Sequence, residues 1–437
     1  MMNVRLTAVA LLMLIGNGLT QAPLTLDEAL RMAQQNNLQL KKQQQKQKIA
    51  EREVAIRRGQ FLPSLEVSAA SSYTDEIAEL EIPFALPNGQ RPRIELGGHD
   101  RTDFAIGVRQ PIFTGFRLRH QLALAKTALE SEQARLAFLN QQTAFQVYLL
   151  FYQAQSLKKE RRIQEASLTR LAVQLDQTRN LLKAAQVMAY DTLQVFNQAL
   201  QLRIQADQNQ RDQRLADLQM TRLLDLAEAR PMAEADLLQP AAVVPPLDSL
   251  KQQARRQRPE LAGIRLGQRA AELTRKLAAS NYFPEVGAEA KYHYAKPGID
   301  QFANEWMDYA TIGVSLQWNL WRGQQDRHRV QQAEIEYERL TLEERELLRN
   351  LEYDVEKSWE NRQFAIKQIQ LAERLFAQQE ERYRIVTAQQ REGVATTNDV
   401  IVAEADLTQA ELQLQRALIQ YYISRAEMLL ATGTIMQ

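Results

Sequence analysis

Two long stretches of this chain contain neither glycine nor proline, and they constrain the fold more than any other feature. The first runs from Phe116 to Arg230 and the second from Gln324 to Glu392. Both are rich in Leu, Ala, Gln, Glu and Arg, which favour helix. At 1.5 Å per residue, one helix over the second stretch would be about 100 Å long. We therefore predict long helices that no compact domain of this size could contain.

The second stretch also carries a regular apolar pattern. Apolar residues recur at steps of three, four or seven, as at Leu340, Leu347, Leu351 and Val355. Such steps produce an apolar seam along one side of a helix. The pattern predicts coiled-coil-like packing of the long helices.

Glycine and proline cluster in other zones, where the periodicity changes from helical to alternating. Ile312, Val314 and Leu316, for example, alternate with Gly313 and Ser315. Segments of about ten residues with one apolar and one polar face are typical of transmembrane barrel strands, although a half-buried sheet in a soluble protein looks similar. The segments between paired strands are predicted as surface loops. The four predicted strands are 63–74, 102–112, 284–295 and 309–320.

The chain reads as two halves with the same order of elements: a helix, two strands, a very long helix and a second helix. Leu40 and Pro63 in the first half match Leu261 and Pro284 in the second. This pattern predicts an internal two-fold repeat. The predicted boundaries are 23–230 for the first repeat, which opens with one helix over Leu26–Arg58, 231–246 for a proline-containing linker, and 247–437 for the second repeat.

The N-terminus has the pattern of a secretory signal peptide, which we predict over 1–22. Arg5 precedes a short apolar segment over 6–15. This segment is too short to cross a bilayer core of about 30 Å as a helix. No later stretch is long and apolar enough either, so an exported chain could enter a membrane only as a β-barrel. Export therefore leaves three classes: a soluble protein, an outer-membrane barrel or a peripheral protein.

Charge and composition exclude several other functions. The net charge of +1 gives no electrostatic reason to expect a nucleic-acid partner. Cysteine is absent, which excludes disulfides, thiolate metal sites and catalytic thiols. The four histidines are not spaced as a zinc-binding pair. We therefore predict no nucleic acid, no metal, no cofactor and no enzymatic activity.

The predicted strands also imply an oligomer if they lie in a membrane. Four strands cannot close a barrel, because about eight is the smallest workable number. An open sheet edge is not tolerated in lipid, since its N–H and C=O groups would have no water partner. Two chains would supply eight strands and three would supply twelve, and either number meets this requirement.

Four segments resemble a known family, the TolC-like outer-membrane efflux proteins, over nearly the whole mature chain. The segments are LTLDEALRMAQQNNLQLKKQQQKQKIAEREVAIRRGQFLPSLEVSAASSY, VRQPIFTGFRLRHQLALAKTALE, GVSLQWNLWRGQQDRHRVQQAEIEYE and RYRIVTAQQREGVATTNDVIVAEADLTQAELQ. The resemblance implies an α+β membrane protein, with four transmembrane strands per chain in a trimeric twelve-stranded outer-membrane barrel. A long α-helical, coiled-coil-like tunnel would continue the barrel through the periplasm. It also implies docking onto a periplasmic adaptor (membrane fusion) protein and an inner-membrane pump.

The resemblance places functional residues at the turns between the long helices. Asp399 is expected to face the tunnel axis as the pore entrance. The alternative is an aspartate that caps a helix or lies in its first turn. Gln186 is expected where the second repeat has Gly393, so that the first turn would form without glycine. The residues expected at the adaptor-docking turns are Gln186, Val187, Met188, Gly393, Val394 and Ala395.

Aromatic residues cluster where strands give way to long helices. Amphipathic rings suit the headgroup region of a bilayer, so these residues are predicted to form an interfacial aromatic belt. Ordinary packing between the sheet and the helices is the alternative. The four residues are Phe113, Phe116, Trp318 and Trp321.

Two functions follow from these expectations. The first is a passive exit duct across the periplasm and outer membrane, for a tripartite efflux or type I secretion system. The second is an exported soluble coiled-coil scaffold or adhesin, whose strands would pack on the helices as a small sheet. Cell fractionation separates the two, because a barrel remains with the outer membrane and requires detergent for extraction.

Overall fold

The computed structural model describes residues 22–84, 87, 89, 91–235, 244–300 and 302–436. Most of the predicted signal peptide (1–22) and the middle of the predicted linker (231–246) lie outside the described residues. The helices are α1 (Leu26–Asn36), α2 (Leu38–Gly59), α3 (Arg117–Lys183), α4 (Ala189–Leu223), α5 (Leu247–Gln257), α6 (Pro259–Ala279), α7 (Gln325–Arg391) and α8 (Thr397–Thr432). The strands are β1 (Ser64–Tyr73), β2 (Ala78–Glu81), β3 (Arg93–Leu96), β4 (Asp100–Thr114), β5 (Glu285–Lys296) and β6 (Met307–Gln317).

The two halves of the chain share one order of elements, apart from β2 and β3, and this confirms the internal two-fold repeat. Helices α1 and α5 each contain 11 residues, and α3 and α7 each contain 67. Because the matched helices are equal in length, positions counted from their first residues correspond between the halves.

The prediction of one helix over Leu26–Arg58 is wrong, because the chain bends at Asn37 and forms two helices, α1 and α2. Asn37 has a non-helical backbone, with φ −53° and ψ 124°, and its Oδ1 accepts a hydrogen bond of 3.2 Å from the Leu40 N–H. A capping Asn of this kind starts a new helix. The second half breaks at the matching place, where Pro259 begins α6. Proline disfavours a helical conformation in the preceding residue, Arg258.

The loop predicted between the first two strands contains a further hairpin, which corrects the sequence-based expectation. Strands β2 and β3 pair antiparallel, with Leu80 opposite Ile94. They form a separate two-stranded sheet. Each strand has only 4 residues, so alternation in the sequence is too short to reveal it.

The main sheet contains β1, β4, β5 and β6 in that order, and all neighbours are antiparallel. Its strands overlap the four segments that alternation predicts. The β4–β5 pairing joins the two halves of the chain into one sheet. Strands β1 and β6 lie at its ends, so each has one edge without a partner strand in the described part of the chain.

The register of the sheet collects the apolar side chains of all four strands on one face. Ile106 pairs with both Val67 and Tyr292, and Ala290 pairs with Ile312. This face is solvent-exposed in the single chain, where Ile312 is 86% exposed. An apolar face of this extent marks a surface that contacts lipid or another protein.

The helices form two hairpins that lie side by side. Helix α3 packs against α4, α7 packs against α8, and α3 also packs against α8. Nearer the sheet, α2, α3, α6 and α7 pack in that order as a row. Across the described ranges, no helix combines the length and the apolar composition that crossing a membrane would require.

The largest core cluster lies at the middle of the long helices. Val147 and Phe151 of α3 pack there with Leu24, Leu224 and Met232, all of which are buried. Leu24 and Met232 also form a parallel β-bridge, which ties the segment before α1 to the segment after α4. This cluster therefore holds the segments of the first repeat together near the midpoint of α3.

Gly393 and Gly433 provide a matched test of packing at helix ends. Both have φ 77°, so a side chain at either position is strained. A Cβ at Gly433 would lie 2.9 Å from the carbonyl carbon of Gln257, whereas a Cβ at Gly393 would meet nothing within 4 Å. We expect Gly393→Ala to cost about 1–2 kcal/mol through backbone strain, and Gly433→Ala to cost about 1–3 kcal/mol more through overpacking. Thermal melting of the purified variants measures the difference, and equal losses would contradict the packing at Gly433.

Candidate functional site at the helix turns and on the sheet

The turn between α7 and α8 has the geometry of a glycine-ended helix. The N–H of Gly393 donates to the carbonyl of Gln390 at 3.0 Å, and the N–H of Val394 donates to the carbonyl of Gln389 at 2.9 Å. These two bonds define the Schellman motif, which requires a left-handed residue after the helix. Gly393 supplies that conformation without steric cost.

The turn between α3 and α4 repeats this motif one residue earlier than the sequence comparison predicted. Ala185 is the left-handed residue, with φ 59°. The N–H of Gln186 donates to the carbonyl of Leu181 at 2.9 Å. Counted from the ends of α3 and α7, Ala185 matches Gly393, so the placement of Gln186 at the glycine position is wrong. The first turn nevertheless forms without glycine, because an alanine takes the strained conformation.

Asp399 lies in the first turn of α8 and closes a capping box. The N-cap is Thr396, whose Oγ1 accepts a hydrogen bond of 3.2 Å from the Asp399 N–H. In return, Asp399 Oδ2 accepts hydrogen bonds from the N–H and the hydroxyl of Thr396, at 2.9 and 2.7 Å. The Thr396 hydroxyl and N–H hold the pKa of the exposed Asp399 carboxyl below its ordinary value. Asp399 is thus a charged residue that also stabilises the helix start.

A second aspartate, which was not identified from the sequence, occupies the same position in α4. Asp191 is the third residue of α4, as Asp399 is of α8, and its Oδ2 accepts a hydrogen bond of 2.8 Å from the Met188 N–H. The N-cap here is Met188, which has no side-chain oxygen, and the Asp191 N–H donates instead to the Met188 carbonyl at 3.0 Å. The repeat itself contained the signal, since α3 and α7 are equal in length and the turns that follow them have the same number of residues.

Both turns expose apolar side chains at the end of the molecule remote from the sheet. Met188 and Val394 are 76% and 75% exposed. Val187 and Ala395 are half-buried, while Gln186 is exposed. The residues predicted for docking therefore lie at two similar turns, each with one prominent apolar side chain.

A buried polar network connects the two helical hairpins between these turns and the sheet. Glu404 of α8 is buried, and one of its oxygens accepts hydrogen bonds from Ser167 Oγ at 2.6 Å and Arg170 Nε at 3.1 Å, both on α3. Thr408 Oγ1 donates to the same oxygen at 2.8 Å. Arg170 also lies 3.9 Å from Glu411, whose pKa is raised by burial. Because a buried charge without its partner is costly, this network fixes the two hairpins in one relative position.

The aromatic residues predicted as a belt lie at the junction between sheet and helices. Phe113 and Phe116 meet edge to face, with ring centroids 5.4 Å apart. Trp318 Nε1 donates to the Tyr282 carbonyl at 3.1 Å, and Trp321 is exposed. Packing within the chain therefore accounts for some of these contacts, and the interfacial belt stays a prediction.

A second aromatic group, which the sequence analysis did not single out, lies at the opposite end of the strands. Trp306 stacks on Tyr294 at 4.8 Å and on Phe104 at 6.1 Å. Tyr73 lies near the same end of β1. Phe104 and Tyr294 occupy the apolar phase of their strands, and that phase was the signal that could have identified them.

The polar face of the sheet carries paired charges. Arg109 donates to Glu289 at 3.0 Å, and Lys291 contacts the same carboxylate. His293 lies 3.1 Å from Asp103. As the alternation predicts, His293 shares this face with Glu289 and Lys291. In the described ranges, no group of three or more His, Cys, Asp and Glu side chains is placed to hold a metal ion. The face is hydrophilic and nearly balanced in charge.

Comparison with solved structures shows the same fold at low sequence identity. The outer membrane protein VceC from Vibrio cholerae is 15% identical, with 93% of this chain and 96% of that chain covered and a TM-score of 0.75. The Campylobacter jejuni CmeC outer membrane channel is 12% identical, covers 94% and 85%, and has a TM-score of 0.76. The open state of the Neisseria gonorrhoeae MtrE outer membrane channel is 16% identical, covers 93% and 88%, and has a TM-score of 0.68.

Sequence comparison gives the family directly. No curated protein matches the chain significantly. The outer membrane efflux protein family matches residues 29–225 and 250–434, which correspond to the two repeats and together make up most of the chain. The chain therefore belongs to the outer membrane efflux protein family.

Proposed function

We propose that three copies of this chain assemble into a passive duct, through which an efflux system releases its substrate across the outer membrane. Membership of the family makes the chain an outer-membrane exit duct of efflux systems. We further propose that the duct is a trimer, that it acts passively, and that it works with an adaptor protein and a pump. The observation that carries it is the main sheet, which has one continuous exposed apolar face and two open edges.

The open edges require more than one copy of the chain. In hydrocarbon, each unpaired N–H or C=O group costs several kcal/mol. Four strands cannot curve into a closed barrel, and about eight is the practical minimum. Three copies supply twelve strands, the number that the family resemblance implies. Pairing β6 of one copy with β1 of the next would satisfy every edge.

The apolar face of the sheet fits a bilayer better than the core of a soluble scaffold. Ile312, Val314 and Leu316 remain exposed although the helices are in place. A soluble scaffold or adhesin would bury this face, because a patch of this size promotes aggregation in water. Aromatic groups at both ends of the strands support contact with the two headgroup regions of outer-membrane lipid.

The long helices and their turns fit a role in the periplasm. A helix of 67 residues, such as α3 or α7, spans about 100 Å and places the turns far from the sheet. We propose that the exposed Met188 and Val394 contact a periplasmic adaptor protein. The adaptor would connect the duct to an inner-membrane pump, which would supply the energy for transport. No catalytic residue or cofactor is assigned to this chain.

Asp399 is proposed to line the narrow end of the tunnel. Three-fold symmetry would bring three carboxylates together there, and within each chain the Thr396 hydroxyl and N–H lower the pKa of the Asp399 carboxyl. A ring of negative charge attracts cations and binds multivalent cations as blockers. The capping role and the pore role are compatible, because the capping box uses only one carboxylate oxygen.

We expect lysine substitutions to distinguish the two faces of β6. Ile312→Lys and Val314→Lys place a charge on the apolar face, and each should cost about 2–4 kcal/mol near the bilayer midplane. Gly313→Lys places the charge on the polar face, where a Cβ meets nothing within 4 Å, so assembly should be retained. The yield and melting temperature of detergent-extracted oligomer measure the effect. Equal losses for all three variants would show that the apolar face does not contact lipid.

We expect Asp399→Asn to lower cation selectivity and weaken block by multivalent cations in planar bilayers. The substitution removes the charge, but an Asn oxygen can still accept from the Thr396 N–H, so stability should change by less than about 1 kcal/mol.

Asp191→Asn is the matched control for this prediction. Asp191 has the same helix position and accepts the same backbone hydrogen bond. We expect removal of the Asp191 charge to leave cation selectivity and block by multivalent cations unchanged. An unaltered Asp399→Asn channel, or equal effects of the two variants, would contradict the assignment of Asp399 as the pore-lining aspartate.

A further inference from the structure

The helices next to the sheet form an open cavity, which lies apart from the turns and from the apolar face. Its volume is about 700 Å³, within the usual range for sites that bind small molecules. Residues from the start of α3, the second half of α6 and the first turns of α7 line it. Buried Ala271, Ala333 and Leu340 lie in its wall together with Gly267. The cavity therefore offers an apolar surface to a ligand.

The cavity lies on the same side of the helices as the polar face of the sheet. Arg117 lines it, and Arg117 Nη2 donates to Glu285 Oε2 at 3.0 Å. Glu285 alternates with Val286 along β5 and so belongs to the polar face. Arg275 and Tyr337 line a separate groove, on the other side of the contact between α6 and α7. In the proposed duct the apolar face contacts lipid and the polar face borders the lumen, so the cavity opens into the lumen.

Two arginines that line the cavity have unused hydrogen-bond donors. Arg117 Nε is buried and has no hydrogen-bond partner in the described part of the chain. Arg329 Nη1 lies 3.9 Å from Asp326 Oδ1, which is too far for a hydrogen bond. A guanidinium group can bind a carboxylate through two parallel, charge-assisted hydrogen bonds. The cavity thus combines an apolar wall with donors for an anionic group.

The acidic side chains near Arg329 are held by other partners. Both oxygens of Glu336, which also lines the cavity, accept hydrogen bonds from Arg339, at 2.8 and 2.6 Å. Asp326 Oδ1 accepts a hydrogen bond of 2.9 Å from Asn281 Nδ2. The Arg329 side chain is 55% exposed, so an incoming ligand can reach it. Its charge therefore favours an anion over a cation in the cavity.

We infer that this cavity binds an anionic amphiphile, a molecule with a carboxylate head and an aliphatic body, in the lumen of the duct. The inference rests on the proposed function and assigns a ligand class to one part of the lumen wall. The carboxylate contacts Arg329 and Arg117 Nε, and the aliphatic body covers Ala333 and Leu340. The site lies at the end of α7 next to the sheet, far from the carboxylate of Asp399 at the opposite end.

Binding to the assembled full-length protein in lipid nanodiscs tests the inference, because detergent would compete for an apolar site. The probe is dansyl-labelled undecanoate, a fluorescent fatty carboxylate, and the signal from empty nanodiscs is subtracted. We expect saturable binding that decanoate displaces. Decyltrimethylammonium has a similar aliphatic chain but the opposite charge, so it should not displace the probe.

Three variants separate this site from general apolar binding. Arg329→Gln should weaken binding about tenfold or more, because a charge-assisted hydrogen bond is lost. Thr274→Trp should prevent binding, since Thr274 is exposed in the cavity wall and a larger side chain there fills the space. Arg275→Gln is the matched control, because it removes the same charge from the other side of the α6–α7 contact. We expect it to bind the probe as the unchanged protein does.

Equal affinities of the unchanged protein and Arg329→Gln would overturn the inference, whether or not Thr274→Trp folds. Equal losses in Arg329→Gln and Arg275→Gln, or equal displacement by decanoate and decyltrimethylammonium, would also overturn it. Light scattering of the same preparation tests the proposed assembly separately. A trimer that does not bind the probe would overturn this inference alone, whereas a monomer or dimer would overturn the proposed duct.

Discussion

The rest of the structure depends on the backbone hydrogen bonds at the edges of one four-stranded sheet. Among the residues that the structure describes, β1 and β6 each have an edge with no partner strand, and the apolar face beside them is exposed. Water could satisfy those edges, but it would also meet the apolar face. Lipid could cover the face, but it could not satisfy the edges. Further copies of the same sheet meet both requirements, because their strands pair with the open edges while lipid covers the apolar face. The fold of one chain is therefore completed by assembly.

The length of the helices separates the sheet from the turns at the opposite end of the molecule. Because α3 and α7 each extend for 67 residues, the membrane-facing sheet lies far from Asp399 and the exposed apolar residues at the turns. The core around Phe151 and the network around Glu404 keep the hairpins in a defined arrangement between those ends. Changes at Asp399 therefore need not disturb the sheet, and changes at Ile312 need not disturb the turns.

Much of this fold could be predicted from sequence, because the pattern of residues indicates both the helices and the strands. The long helices follow from the absence of glycine and proline, and the main strands follow from alternation. The break at Asn37 escaped prediction, since a capping side chain can end a helix without any helix-breaking residue. The left-handed Ala185 escaped because alanine normally avoids that conformation. Asp191 was overlooked because its role is visible only when the two turns are superimposed by their helix positions.

We propose that the chain closes its sheet by joining two further copies of itself. Native mass spectrometry of the protein released from mild detergent tests this proposal, because it counts the chains in one particle. We expect a single species containing three chains, with the strand and helix content of the folded protein. A stable particle of one or two chains with the same folded spectrum would contradict it, because the unpaired edges would then have to be satisfied in some other way.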